Sequence, residues 1–290
     1  MADKYTAVWV SHTSISDYLK CPRSYFLKNI YKDRNTGHKI QIMSPALALG
    51  QAVHEVLENL SSISTRERFL ESPIQKLDTV WEKIRGKKGG FVSAEEEFRY
   101  KDRVKQMINK IVEHPGPLSS LAVKIKEDLP HYWLSEAENI ILCGKIDWLE
   151  YLQESETVHI IDFKTSKKEE DPNSLQLPIY LLLASNCQKR PVSKASYWYL
   201  EYDDNPIEKS LPSIEEANLQ ITKISRQIKI ARQLDKLDCP HGKDGCMFCI
   251  PHERILRGEG ELVGTSNTRQ DIYILPKANS IDDAEDSIIL

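Results

Sequence analysis

Apolar residues recur with helical spacing through the first third of the chain. Leu49, Val53, Val56 and Leu60 stand at i, i+4, i+7 and i+11, which predicts a helix over Pro45–Leu60 with one buried stripe. Ser14 reads as the N-cap of an earlier helix over 14–31, kinked or restarted where Pro22 follows Cys21. Two more helices are predicted over 65–84 and 93–113, joined by the turn Gly86-Lys87-Lys88-Gly89-Gly90. His114-Pro115-Gly116-Pro117 then breaks the helical run. Beyond it the pattern becomes that of strands, predicted over 121–129, 140–151, 158–164 and 194–202. The turn at Gln153-Glu154-Ser155-Glu156 makes the middle pair an antiparallel hairpin, and a helix over 174–186 precedes the last strand. A final amphipathic helix is predicted over 213–237. Ile221, Ile224, Ile228 and Ala231 form its apolar face, and Arg226, Lys229, Arg232 and Lys236 fill the neighbouring arc. This order predicts one α/β domain, a mixed sheet core flanked by helices, with a helical elaboration.

Composition narrows the class. At 290 residues, and about 150 per ordinary domain, the chain can bury a core without disulfide staples. No run approaches 18 apolar residues, so no membrane span is expected. The first residues, MADKYTAVWV, lack the pattern of a secretory signal, and the cytoplasm is the expected location. The net charge of −4 is uneven. From Glu259 to Leu290 there are seven acids and two bases, so the preceding 258 residues sum to about +1. A near-neutral body with basic patches is compatible with nucleic-acid binding, which depends on where charge sits. The stripe on the last helix serves either as a solvated face or as a set of phosphate contacts, Arg226 and Lys229 foremost.

The most informative residues lie on the expected hairpin. In Ile160-Ile161-Asp162-Phe163-Lys164-Thr165, Asp162 and Lys164 are two apart and share a strand face. Asp147, in Gly144-Lys145-Ile146-Asp147, belongs to the preceding strand and can be brought alongside. Two clustered carboxylates call for a cation, and hard oxygen ligands suit Mg²⁺ or Mn²⁺. A salt-bridged sheet end is the plainer alternative.

These segments resemble the PD-(D/E)XK nuclease superfamily, and in particular its RecB-like branch, which includes AddB-type and CRISPR-associated iron–sulfur nucleases. Asp162-Phe163-Lys164-Thr165-Ser166 resembles the catalytic strand and Gly144-Lys145-Ile146-Asp147 the aspartate motif before it. Gly50-Gln51-Ala52-Val53-His54 resembles the upstream histidine helix, and Gln176-Leu177-Pro178-Ile179-Tyr180 the Q-x-x-x-Y helix. Cys21-Pro22-Arg23-Ser24-Tyr25-Phe26 is similar to the N-terminal cysteine helix of the iron–sulfur members. The resemblance implies a restriction-endonuclease-like core. It also implies a metal held by His54, Asp147, Asp162 and the backbone carbonyl of Phe163. Lys164 would orient the attacking water or stabilise charge on the phosphate, and Gln176 and Tyr180 would position the substrate backbone. Glu127, before the hairpin, lies where some members carry a further acid.

Three of the six cysteines, Cys239, Cys246 and Cys249, fall within eleven residues. With distant Cys21 they make four soft ligands, enough for a 4Fe–4S cluster or a structural Zn²⁺. The resemblance favours the cluster. The order, with the lone cysteine ahead of the pair, departs from the branch's usual pattern and keeps zinc open. Cys143 and Cys187 are expected to be buried, inert thiols.

The expected organisation is a nuclease domain over residues 1–257 followed by an acidic tail over 258–290. Within the domain the catalytic core spans 45–61 and 118–212, the helical part 62–117, and the cysteine-site region 11–31 and 213–257. The expected activity is metal-dependent hydrolysis of DNA, single-stranded or at ends, by an exonuclease of repair, recombination or CRISPR adaptation. A catalytically silent nucleic-acid-binding subunit, and a zinc-stabilised adaptor meeting a protein partner through the tail, are the competing readings. Ile272-Tyr273-Ile274-Leu275 is open to adding as a strand.

Overall fold

The computed structural model describes residues 3–276. After a short strand, β1 (Val8–Val10), helix α1 covers His12–Lys20. Its cap is Ser11, not Ser14. Ser14 is the third helical residue and returns a hydrogen bond to the Ser11 N–H, completing a capping box. Pro22 does restart the chain, as α2 (Pro22–Tyr25), which runs into one π-helical turn over Phe26–Ile30. Strand β2 (Lys39–Ile42) then leads to α3 (Pro45–Leu60), the span the apolar period predicts.

The predicted helix over 65–84 is helical only in its second half, over Ile74–Trp81 and a 3-10 turn at Glu82–Ile84. Residues 65–72 form turns, and α4 (Ile74–Trp81) starts only after Pro73. Buried Arg68 explains the detour. Its guanidinium donates to the carbonyls of Leu60 and Ser120, at 3.1 and 2.9 Å, and to that of Leu118. One of these carbonyls, that of Leu60, closes α3, and the other two belong to the segment after α5, so the turns around Arg68 tie the two segments together. Helix α5 (Ala94–Glu113) follows, capped by Ser93.

The strand predicted over 121–129 is absent. Residues 121–123 only brush the sheet, through an isolated bridge between Ala122 and Glu150. The charged stretch Lys126-Glu127-Asp128 turns away, and β3 forms instead at His131–Ser135, after Pro130. The long strand predicted over 140–151 is two strands in two sheets. Strand β4 (Ile140–Cys143) pairs with β1 and β3, whereas β5 (Trp148–Leu152) pairs antiparallel with β6 (Thr157–Lys164). The break falls at Gly144, where a Cβ would lie 2.9 Å from the Leu183 side chain, so the backbone passes too close to its neighbour for a larger residue.

Helix α6 (Gln176–Cys187) crosses over to β7 (Val192–Tyr199), parallel to β6, and the two-residue β8 (Ile207–Glu208) closes the sheet in the order β5-β6-β7-β8. Helix α7 (Ile214–Gln233) and the short α8 (Ile250–Leu256) complete the helical part. Two cores flank the four-stranded sheet. One joins Ile160 and Tyr197 to α6 and α7, and the other joins Ile161, Phe163 and Trp198 to α3, α4 and α5. The mixed α/β architecture with a restriction-endonuclease-like core is the one expected.

Residues 258–276, expected to begin an acidic tail, are built into this body. Strands β9 (Glu261–Thr265) and β10 (Gln270–Ile274) form a hairpin, and β10 adds in parallel to β2. Buried Asp271 accepts from Thr36 Oγ1 at 2.5 Å and lies 2.8 Å from His38 Nδ1. The acidic run from Asp282 onward lies outside the described residues.

Candidate active site

Strand β6 places Asp162 and Lys164 on the face toward α6, as the period of two requires. Phe163 points the other way, into the core beneath α3. The pairing of β5 with β6 starts at Trp148 and Ile161, so Phe163 has no ladder partner on that edge. Asp147, just before β5, folds over the gap, and its Oδ2 accepts the Phe163 N–H at 2.9 Å. The Lys164 carbonyl accepts from Leu200 on the β7 side. Phe163, one residue earlier, therefore turns its own carbonyl toward the open edge beside Asp147. Helix α3 brings His54 to the same edge, with Nδ1 3.2 Å from Asp147 Oδ1. A cavity of about 240 Å³ opens there, lined by His54, Glu58, Lys145, Ile146, Asp147 and Phe163.

On the α6 side, the Gln176 amide nitrogen donates to Asp162 Oδ1 at 2.8 Å and to Tyr180 Oη at 3.2 Å. Its oxygen accepts from the Lys164 ammonium. Gln176 and Tyr180 are both buried, and their polar groups face Asp162 and Lys164. The ammonium also sits 3.0 Å from Asp162 Oδ2 and 2.8 Å from Glu170 Oε2, and 4.8 Å from the centre of the Tyr197 ring.

The electrostatics of this cluster are those of too much negative charge in too little water. Burial, and then the neighbouring Asp147 carboxylate, push Asp162 up to about 7 in spite of Lys164 and His54. Burial works to lower His54, but Asp147 and Asp162 outweigh it and hold the imidazole above its ordinary value. Lys164 is likewise raised, burial being overcome by Asp162 and Glu170. Burial, with Asp162 and Asp147, takes Tyr180 well above the usual phenol range. His12, at the start of α1, is pushed down to about 4 by burial and by Lys164.

These residues suit a hard divalent cation. Among the described residues, buried Asp162 Oδ2 has no hydrogen-bond partner and is met only by the Lys164 ammonium as an ion pair at 3.0 Å. Two carboxylates, an imidazole and a free-edge carbonyl are an oxygen-rich donor set of the kind Mg²⁺ and Mn²⁺ take.

The structure thus brings together His54, Asp147, Asp162, Phe163, Lys164, Gln176 and Tyr180. Arg226 and Lys229 do not join them. Arg226 pairs with Glu138 at 2.5 Å, and Lys229 donates to the Glu138 carbonyl. Glu127 is 3.3 Å from His131 and borders a second cleft that shares Asp147 with the site. Two residues beside Lys164 escaped the sequence reading. Glu170 sits in Lys167-Lys168-Glu169-Glu170-Asp171, which looks like a solvated charge run, and His12 lies in no motif.

A second constellation lies apart, at Cys21, Cys239, Cys246 and Cys249, whose sulfurs are all within 4.8 Å of one another. Cys21 stands between α1 and α2, and Cys249 caps α8, so the site ties the first helices to residues 239–249. Arg23–Glu253 at 2.6 Å and Ser24 Oγ to the Phe248 carbonyl at 3.0 Å reinforce the clip. Burial pushes Cys21 up to about 12. At Cys246 the N–H groups of Phe248 and Cys249 outweigh burial and bring the thiol down to about 7. Four converging thiols fit a soft metal or a cluster. Cys143 is buried, and Cys187, half-buried, donates to the His131 carbonyl at 3.6 Å; burial raises both thiols.

A sheet edge that gathers two carboxylates, a histidine and a lysine, with a cavity opening beside His54 and Asp147, has the makings of a metal-dependent phosphodiester hydrolase. A sequence model of the PD-(D/E)XK nuclease superfamily matches residues 9–253, and the chain belongs to that superfamily. At that level it is a metal-dependent nuclease, with a divalent metal and a nucleic-acid substrate. No curated protein matches the chain. Among the described residues, no helix is long and apolar enough to cross a membrane.

Proposed function

We propose that this protein is a DNA nuclease of the RecB-like branch, acting on single strands or ends in repair, recombination or CRISPR adaptation. The reading rests on one juxtaposition, that of His54, Asp147, Asp162 and Lys164 at the open edge of β6. His54, Asp147, Asp162 and the Phe163 carbonyl hold Mg²⁺ or Mn²⁺. When bound, the ion polarises a phosphoryl oxygen and lowers the pKa of water. Asp147 braces this set by accepting from the Phe163 N–H while pairing with His54. Lys164 supplies positive charge to the phosphate as negative charge develops there. Gln176 and Tyr180 position the substrate backbone, Gln176 holding Lys164 and Asp162 and Tyr180 accepting from Gln176.

The branch resemblance suggests that the four cysteines hold a 4Fe–4S cluster. One observation favours zinc instead. Thiolates on a tetrahedral zinc at about 2.3 Å stand about 3.8 Å apart, and Cys246 and Cys249 are 3.8 Å apart. A cubane, with four irons between the thiolates, needs wider spacing. Iron, sulfide and zinc analysis of anaerobically purified protein decides between them.

The test of activity is cleavage of end-labelled single- and double-stranded DNA with Mg²⁺, Mn²⁺ or chelator. Metal-dependent shortening from one end supports an exonuclease, and internal fragments an endonuclease. DNA binding with no cleavage under any metal would replace this reading with the silent binding subunit.

A further inference from the structure

We propose that Glu170 is a positioning residue for Lys164, holding the ammonium in the site and freeing Asp162 for the metal ion. The inference rests on the nuclease reading and adds a residue to it. Three oxygens stand around the Lys164 ammonium: that of Gln176, which accepts a hydrogen bond, and those of Asp162 and Glu170, paired with it at 3.0 and 2.8 Å. Gln176 carries no charge. Asp162 belongs to the metal set, so its charge is claimed twice, by the ion and by the lysine. Glu170 is the remaining carboxylate against Lys164 among the described residues, and at 2.8 Å it is the nearer of the two.

Charge balance gives the contact its purpose. Without Glu170, Lys164 has Asp162 as its sole anionic partner, and ammonium and metal compete for one carboxylate. With Glu170 present, the lysine keeps a full counter-charge when Asp162 turns to the ion. The placement is built to last. The Glu170 N–H donates to Tyr199 Oη at 2.9 Å, and the Asp171 carbonyl accepts from Ser174 at 2.8 Å, joining the loop to the start of α6. Glu170 is about a quarter exposed and Lys164 less, so solvent screens the pair only in part. The Tyr197 ring closes another side of the ammonium.

The test is a four-protein cycle with the four-cysteine site loaded: wild type, Glu170→Gln, Lys164→Met and the double variant. Mn²⁺ binding is read by calorimetry, and cleavage kinetics are read on wild type and Glu170→Gln. Glu170→Gln is expected to weaken Mn²⁺ binding about tenfold and to lower kcat roughly 10- to 100-fold, as loss of an outer partner of a metal site does. KM should stay within about threefold, since the loss falls on the chemical step. With Lys164 already replaced, the same change should alter Mn²⁺ affinity less than about twofold, because its route is gone. An equal affinity loss in both backgrounds overturns the proposal, showing that Glu170 acts on the ion by charge alone. Unchanged affinity and kcat overturn it too. If wild type binds Mn²⁺ but cuts nothing, the nuclease reading falls while the binding cycle still decides Glu170. If wild type binds no Mn²⁺, both fall.

Discussion

The site at the edge of β6 and the four-cysteine site are both suited to cations, yet they are built on opposite plans. At β6 the charged groups answer one another only in part, and Asp162 Oδ2 keeps no hydrogen-bond partner among the described residues. Lys164 answers Asp162 and Glu170, Asp147 is braced by His54 and the Phe163 N–H, and Gln176 spans the centre. The surrounding sheet and α3 exist for reasons of packing, independent of any ion. The cysteine site is the reverse. Its small apolar neighbourhood consists of Cys21, Leu27 and Cys249 with a few half-buried partners, and its ligands join segments more than 200 residues apart. A metal there acts as a cross-link, whereas a metal at β6 acts as a reagent. The first belongs to stability and the second to chemistry, and each can be removed separately.

The largest expected effect is chemical. Asp162→Ala or Lys164→Ala should lower cleavage by at least about 10²–10³, the usual cost of one transition-state contact. The thermal transition should stay within a few degrees, read by circular dichroism beside the cleavage assay. Full activity in either variant breaks the assignment of the β6 edge as the reagent site.

Next comes the cross-link. Cys249→Ser or Cys21→Ser should cost several kcal/mol, which for a chain of this size lowers Tm by roughly 10 °C. Below the new Tm, the variant should lose far less activity than Asp162→Ala. A cysteine variant that is as stable as wild type but inactive would reverse the comparison.

Acid should act on both regions through histidines, buried His252 and half-buried His12. Burial, aided by nearby positive charge, pushes His252 on α8 and His12 on α1 down to about 4. An unfolded histidine takes its proton near 6.5, so between there and 4 the unfolded state binds more protons. The stabilisation is therefore complete above about 6.5 and is lost as pH falls toward 4, at most about 3 kcal/mol for the better buried His252. Asp162 has the opposite sign. Its raised value means that the metal-free protein loses stability as pH rises from about 4 to 7. Tm against pH for His252→Gln should show a shallower acid limb than wild type, and an identical limb would remove His252 from the account.

The smallest effect concerns α7. Arg226 and Lys229, proposed as phosphate contacts, are both engaged by Glu138. Replacing the two with alanine should flatten the log–log salt dependence of DNA binding by less than about one unit, where two full single-strand contacts would give roughly 1.4. Binding is measured with Asp162→Ala to prevent cleavage. The larger change would move the stripe onto the substrate path.

Much of this was legible without coordinates. Helix 45–60, the 148–164 hairpin and the helix after it follow from periodicity and turn residues, because each is decided by local spacing. Asp162 and Lys164 share a face by strand geometry alone. What local pattern could not decide was which neighbour each segment would meet. Residues 140–151 read as one strand because the stretch is largely apolar on both sides of Gly144, but its two halves pair with different partners in two sheets. Residues 65–72 read as helix because nothing local reveals that Arg68 must reach carbonyls fifty residues away. The hairpin at 261–274 looked like tail because its partners, Lys39–Ile42, lie over 200 residues earlier.

The sequence by itself determined the candidate ligand types, their order and most of the elements that carry them, since these depend on side-chain chemistry and on periods of 2 and 3.6. Only the tertiary structure decided the rest. It folded Asp147 onto the Phe163 N–H near the end of β6, turned Gln176 inward, set Glu170 against Lys164 and drew Cys21 to Cys249. Each is a contact between segments far apart in the chain or out of register with any local repeat. Burial, which fixes the charge state of such groups, exists only once those segments have met.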